Sequence, residues 1–257
     1  MRKFLRGTKP PLVVMIQFRT PIDAIDTMKK ALDEGAEAFG VQICKFLPEY
    51  RTQETYKKVF AAAAGLPIYV TNYRGHSNEG KSDEVLAREL LELADCGAWL
   101  CDVMGDFYDP QPGELTTDER AVEKQMRLIE QIHAHGAEVL MSSHVKKYLP
   151  EEQVVSILQA HERRGADIAK LVVGDTTVEE QAENLRMCAA LREKLGIPYL
   201  FLSGKMGQVM RRVGPMLGVC CWLCRYGDEE LATKKQPILR HMKAIRDNFE
   251  FEWEEEQ

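Results

Sequence analysis

"GADIAKLVVGD", residues 165–175, sets one lysine inside an apolar run. Without Lys170 the stretch is a short buried strand of Ile, Ala, Leu and Val, entered and left through glycines. An isolated ammonium is costly to bury, so such a lysine reaches water, pairs with a carboxylate or gives up its proton. The glycine lead-in recurs along the chain. GAEAFG at 35, GLPIYV at 65, GAWLCD at 97, GAEVLM at 136 and GIPYLF at 196 each put a glycine between an amphipathic segment and an apolar one. This is the signature of a helix C-terminus passing into a strand.

On both sides of this junction the pattern repeats, and eight strand runs alternate with eight helical ones. The strands are PLVVMIQF (11–18), AEAFGVQI (36–43), PIYVTN (67–72), AWLCDVM (98–104), AEVLMSSH (137–144), DIAKLVV (167–173), PYLFLSG (198–204) and GVCCWLC (218–224). The periodicity predicts helices over 21–34, 53–64, 82–95, 117–134, 151–164, 178–195, 207–214 and 235–249. Eight such units predict an α/β protein that is a single (β/α)8 TIM barrel, one domain over 1–257, with an acidic tail (EFEWEEEQ) from about 250.

Composition narrows the function classes. The chain is 257 residues long, 45% hydrophobic and 29% charged, with a net charge of −6. That acidic balance gives no electrostatic footprint for nucleic acid. No apolar run approaches membrane-span length and no signal-peptide core follows the basic N-terminus, which predicts a cytoplasmic protein. The seven cysteines lie mostly in apolar contexts without a CxxC pair, so they are expected to be reduced core thiols and not metal ligands. Neither a P-loop nor GxGxxG occurs, so nucleotide use has no support.

Barrel enzymes work at the C-terminal ends of their strands. Those ends carry Asn72, Arg74, His76 and Glu79 after the third strand, Asp102 and Asp106 on or after the fourth, and Ser142, Ser143 and His144 on the fifth. Lys170 lies within the sixth, and Ser203, Lys205, Gln208, Arg211 and Arg212 end the seventh. On an inner barrel wall, burial and nearby arginines disfavour the charged form of Lys170. A neutral amine condenses with ketones to give an iminium, which is an electron sink. His144 lies one unit earlier, on the adjacent strand, where an imidazole could act on the same substrate. Two other outcomes remain open at this point: a structural pair between Lys170 and a barrel carboxylate such as Asp102, and simple anion binding.

The segments VTNYRGHSNEGK, LCDVMGDFYD, VLMSSHVKKYLP, RRGADIAKLVV and GKMGQVMRRVGPMLG together resemble the type I 3-dehydroquinate dehydratase family, over residues 11–245. In that family they correspond to Thr-x-Arg…Glu-Gly, an Asp on the fourth strand, Ser-x-His ending in Pro, Gly-Ala-Asp-x-x-Lys, and Lys-x-Gly…Arg. The resemblance implies Lys170 as the Schiff-base lysine, His144 as the general acid/base and Glu79 as the carboxylate orienting His144. It implies Arg211 on the substrate carboxylate, Arg74 on the ring substituents or ordering its loop, and Gln236 as the glutamine of a closing lid. The implied substrate is a small keto-carboxylate, 3-dehydroquinate, dehydrated to 3-dehydroshikimate without metal or redox cofactor. A homodimer is the family's analogy.

The chain also departs from the family. Glu-x-Arg on the second strand, which contacts substrate hydroxyls, is Gly40-Val41-Gln42 here. Gln42 is the substrate-binding candidate that remains. The Asp following the family's His is Val145, and the segment 232–236 lacks the family's Ser and Pro-Gly. Missing hydrogen-bond partners weaken discrimination for a polyol. A Schiff-base lyase for another β-hydroxy keto acid is therefore the second expectation. A third is a non-catalytic barrel binding a carboxylate through Arg74 and Arg211.

Overall fold

Every expected apolar run forms a strand. They are β1 (Leu12–Ile16), β2 (Ala38–Gln42), β3 (Ile68–Thr71), β4 (Leu100–Met104), β5 (Glu138–His144), β6 (Ile168–Val173), β7 (Tyr199–Ser203) and β8 (Trp222–Cys224). Between and after them lie α1 (Pro21–Asp33), α2 (Gln53–Ala61), α3 (Asp83–Asp95), α4 (Glu119–Ala134), α5 (Glu151–Arg163), α6 (Val178–Ala190), α7 (Met210–Val213) and α8 (Leu239–Arg246). This computed structural model describes residues 3–7, 9–204 and 207–249. Lys205 and the acidic tail from about 250 lie outside the described residues.

All pairings are parallel, in the order β7-β6-β5-β4-β3-β2-β1-β8. The two ends of this curled sheet approach where the Cys220 N–H donates to the Tyr199 carbonyl at 2.9 Å. The architecture is the (β/α)8 barrel.

Local chemistry sets the element boundaries. Thr20, Thr52 and Asp118 cap α1, α2 and α4 through their side chains, and Thr177 with Glu180 forms a capping box on α6. Five of the six junction glycines (Gly35, Gly65, Gly97, Gly136 and Gly165) have positive φ, the left-handed C-cap conformation. Gly196 is the exception, because α6 ends earlier than 195 and runs into a 3-10 turn at Leu191–Glu193. The eighth unit is also shorter than expected. Only Trp222–Cys224 pairs with β1, α7 is a single turn, and α8 begins at Leu239 rather than 235.

Strand alternation sends successive side chains to opposite walls. Ala169, Leu171 and Val173 of β6 pack outward, while Ile168, Lys170 and Val172 point into the barrel. Met15, Gly40 and Tyr69 are register partners on β1, β2 and β3 and make one interior layer. A Cβ at Gly40 would lie 2.2 Å from Met15 Sδ and 3.1 Å from the Tyr69 ring, so the methionine occupies the space a β2 side chain would take. Phe4 closes the floor: its N–H donates to Glu138 Oε2 at 2.7 Å and its ring meets Tyr69 edge-on at 6.2 Å.

Behind β5, His161 of α5 is fully buried, with Nε2 at 3.0 Å from Ser143 Oγ. Ser143 already donates to the Glu114 carbonyl, so His161 is the Nε2–H tautomer donating to Oγ. Desolvation pushes its pKa down to about 3, with the neighbouring Arg164 charge adding to the effect. The folded value lies below the unfolded value near 6.5, so this group's contribution is complete above pH 6.5 and is lost as pH falls towards 3. Stability should drop by roughly 1–2 kcal/mol more in wild type than in His161→Gln between about pH 6.5 and pH 5. Urea midpoints measured across that range check the difference, and parallel curves would refute it.

Candidate active site

Lys170 stands on the inner wall of β6, 5% exposed. Its Nζ donates to Tyr73 Oη at 2.6 Å, Tyr69 Oη at 3.2 Å and Asp102 Oδ2 at 3.2 Å. Both phenols in turn donate to Asp102 Oδ2, and Ser142 donates to Oδ1 at 2.5 Å. The carboxylate, on β4, is therefore surrounded by four donors from β3, the β3 loop, β5 and β6. The structural pair considered from the sequence is real. It is not sealed, however, because a cavity of about 200 Å³ opens above the amine.

That cavity is built in layers. Its floor is Lys170 with Tyr69, and its apolar walls are Met15, Val172, Leu202 and Leu223. Higher up stand His144, Tyr73 and Arg211, and Gln17, Gln42, Thr71, Thr233 and Gln236 complete the mouth. Ser142, not His144, is the register partner of Lys170 on β5, which places the imidazole about 7 Å further along the strand. The ring lies edge-on to Tyr73, with centroids 5.5 Å apart at 85°.

His144 Nδ1 is 2.6 Å from Glu114 Oε2. The carboxylate bonded to His144 is thus Glu114 and not the expected Glu79, which is exposed on the β3–α3 loop. Glu114 sits on the β4–α4 loop with a left-handed backbone (φ 55°), an uncommon conformation for a glutamate. Ser143 Oγ fixes its carbonyl, and the buried Arg164 guanidinium ties the same loop through the carbonyls of Gly105 (2.8 Å) and Thr116 (2.6 Å).

The two arginine candidates separate. Arg211 lines the cavity, with Nε bonded to the Ser203 carbonyl at 2.9 Å. Burial pushes its pKa down to about 10, partly opposed by Asp175, and it remains cationic at neutral pH. Arg74 is not on the cavity wall. It grips Asp83 through two bonds (2.9 and 2.6 Å) and Asp106 through its carboxylate (2.8 Å) and its carbonyl (3.1 Å), so of its two expected roles the geometry fits ordering the loop. Matching Thr71 to the family's Thr-x-Arg puts Tyr73 at the arginine position, and Tyr73 is the residue that turns inward.

Gln42 accepts from Gln17 Nε2 at 2.7 Å, and Gln17 holds the segment after β8 through Thr233 N–H (2.9 Å) and Oγ1 (3.2 Å). The Gln236 N–H caps back onto the Thr233 carbonyl at 2.9 Å, which brings Gln236 over the cavity. Gln236 Oε1 and Thr71 Oγ1 are buried without a hydrogen-bond partner among the described residues. Each such atom costs roughly 1–3 kcal/mol, so a ligand donor reaching it gains about that much.

Glu114, Tyr69, Tyr73, Gln17 and Thr233 were not among the sequence candidates. The inward phase of β3, Tyr69-Val70-Thr71, was the available signal for Tyr69. Nothing local marked Glu114.

A sequence profile described as type I 3-dehydroquinase matches residues 12–244. The 3-dehydroquinate dehydratase of Methanosarcina acetivorans is 27% identical over 92% of this chain and 94% of its own. That of Lactiplantibacillus plantarum is 31% identical over 47% of this chain, a match spanning about half (48%) of the relative's length. Among solved structures, the type I 3-dehydroquinate dehydratase of Clostridium difficile with covalent modified comenic acid superposes with a TM-score of 0.79. It shares 16% identity and covers 95% of this chain and 93% of that one.

Two measurements test the geometry. Asp102→Ala leaves a buried ammonium unpaired and should lower stability by about 3–5 kcal/mol in denaturant unfolding. The low-field Nδ1 proton of His144 should vanish from the NMR spectrum of Glu114→Ala and persist in Glu79→Ala. The reverse pattern would restore Glu79.

Proposed function

The chain belongs to the type I 3-dehydroquinase family, and on that premise we propose that it is a hydro-lyase dehydrating 3-dehydroquinate to 3-dehydroshikimate through an imine on Lys170. The observation that carries this reading is an inward amine at the floor of a cavity whose upper wall holds both an imidazole and a guanidinium. Arg211 binds the substrate carboxylate and directs the ketone down to Nζ. The iminium acidifies the neighbouring C–H, because the electrons left by the departing proton delocalise onto nitrogen. His144 removes that proton and then returns one to the β-hydroxyl as it leaves, while Glu114 holds the ring through Nδ1. Gln236 and Thr71 offer acceptors to the ring hydroxyls. Hydrolysis frees the enone.

The reduced state expected of seven free cysteines, six of them buried, supports placing this reaction in the cytoplasm. Among the described residues no helix is long and apolar enough to cross a membrane.

A second reading keeps the imine and changes the substrate to a less hydroxylated β-hydroxy keto acid. Met15 over Gly40 favours it, since a thioether replaces a polar contact at that wall. Lys170→Ala should abolish ultraviolet-detected enone formation from 3-dehydroquinate, and borohydride with substrate should leave a mass adduct on Lys170 in wild type. An adduct with other keto acids but none with dehydroquinate would select the second reading. Full activity in Lys170→Ala would dismiss both.

A further inference from the structure

The imine reading leaves one requirement unassigned. Condensation of a ketone with Lys170 expels the carbonyl oxygen as water, and that oxygen needs a proton twice. His144 stands about two residues further up its strand and has one ring nitrogen committed to Glu114. Three groups bond the amine itself: Asp102, Tyr69 and Tyr73. Asp102 lies beneath, enclosed by donors. Tyr69 Oη is 3.2 Å away and deeply buried. Tyr73 Oη is nearer, at 2.6 Å, on a half-buried residue of the cavity wall whose ring also touches His144.

We propose that Tyr73 is the catalytic acid for imine formation, relaying protons between Asp102 and the carbonyl oxygen. The proposal rests on the imine reading of the site. In the first step the Lys170 ammonium gives one proton to Asp102, and the amine attacks the carbonyl carbon. A C–N bond forms, and the π electrons move to oxygen, which takes the phenol proton of Tyr73. The phenolate recovers a proton from the positively charged nitrogen, giving a neutral carbinolamine. Tyr73 then protonates the hydroxyl, the C–O bond breaks, water leaves, and the nitrogen lone pair closes the iminium. Asp102 returns its proton to the phenolate. Ammonium plus ketone has become iminium plus water, with Tyr73 and Asp102 restored.

Two features support the assignment. Burial, and after it the Asp102 charge, holds the Tyr73 phenol well above its usual range, so it starts each cycle protonated. The hydroxyl bonds both Asp102 Oδ2 and Nζ, so the relay needs no movement of the protein.

The test is exchange of a heavy-oxygen label out of the ketone of 3-dehydroquinate, which reports imine formation without dehydration. Tyr73→Phe keeps the ring and its edge contact with His144. Exchange should slow about 100-fold and should accelerate with the concentration of small buffer acids, a response wild type lacks. Borohydride should still bring Tyr73→Phe to a full Lys170 adduct at long times, showing an intact cavity. Exchange at the wild-type rate would overturn the proposal, as would a slow rate that ignores buffer acids, since that marks a structural role. If wild-type protein neither exchanges nor forms an adduct with dehydroquinate or with other β-hydroxy keto acids, the imine reading itself fails and takes this relay with it; an adduct with another keto acid moves the same exchange test to that substrate.

Discussion

One buried carboxylate organises the barrel's interior. Asp102 and Lys170 together remove two charges from water, a penalty of several kcal/mol per ion before any attraction is counted. A lone contact at 3.2 Å would not offset it. Here the carboxylate also accepts from two phenols and a serine, and the ammonium also donates to both phenols. Each strand from β3 to β6, or the loop after it, contributes a member. The polar cluster therefore fixes the relative heights of four strands as well as the position of one amine. Such a cluster is stable only when every member is satisfied, because a half-paired buried group costs more than an apolar one.

The His144 imidazole is held by a different principle. Its carboxylate partner comes from a loop, and loops need external support to hold a charge in place. The β4–α4 loop receives that support from behind the sheet. Arg164 gathers its carbonyls, Ser143 secures the Glu114 backbone, and neutral His161 secures Ser143. Ser143 and His144 are adjacent and point to opposite sides of β5, so one strand anchors the loop outward and presents the imidazole inward.

This division explains what could be read from the chain. Strand phase is a period-two property, so Lys170 on the inner wall and His144 one unit away followed from the residues themselves. The glycine junctions marked the repeats for the same reason: a left-handed backbone at a helix end leaves a compositional trace. Loop partners leave none. Glu79 and Glu114 are both loop carboxylates, and only the folded path of the β4–α4 segment decides between them. Arg74 had two expected roles, and only its folded contacts with Asp83 and Asp106 separate them: it orders the loop, while Tyr73, at the motif's spacing from Thr71, turns inward. The short β8 was hidden by GVCCWLC, which is apolar throughout although only its last three residues pair with β1.

The methionine lodged over Gly40 ties two strands together. A Cβ at position 40 would lie 2.2 Å from the Met15 sulfur, so a larger residue on β2 requires that thioether to swing aside. Side chains in contact respond to replacement non-additively, so positions 15 and 40 are coupled. A polar group engineered onto the second strand at this height therefore has to be chosen together with the residue that faces it from the first.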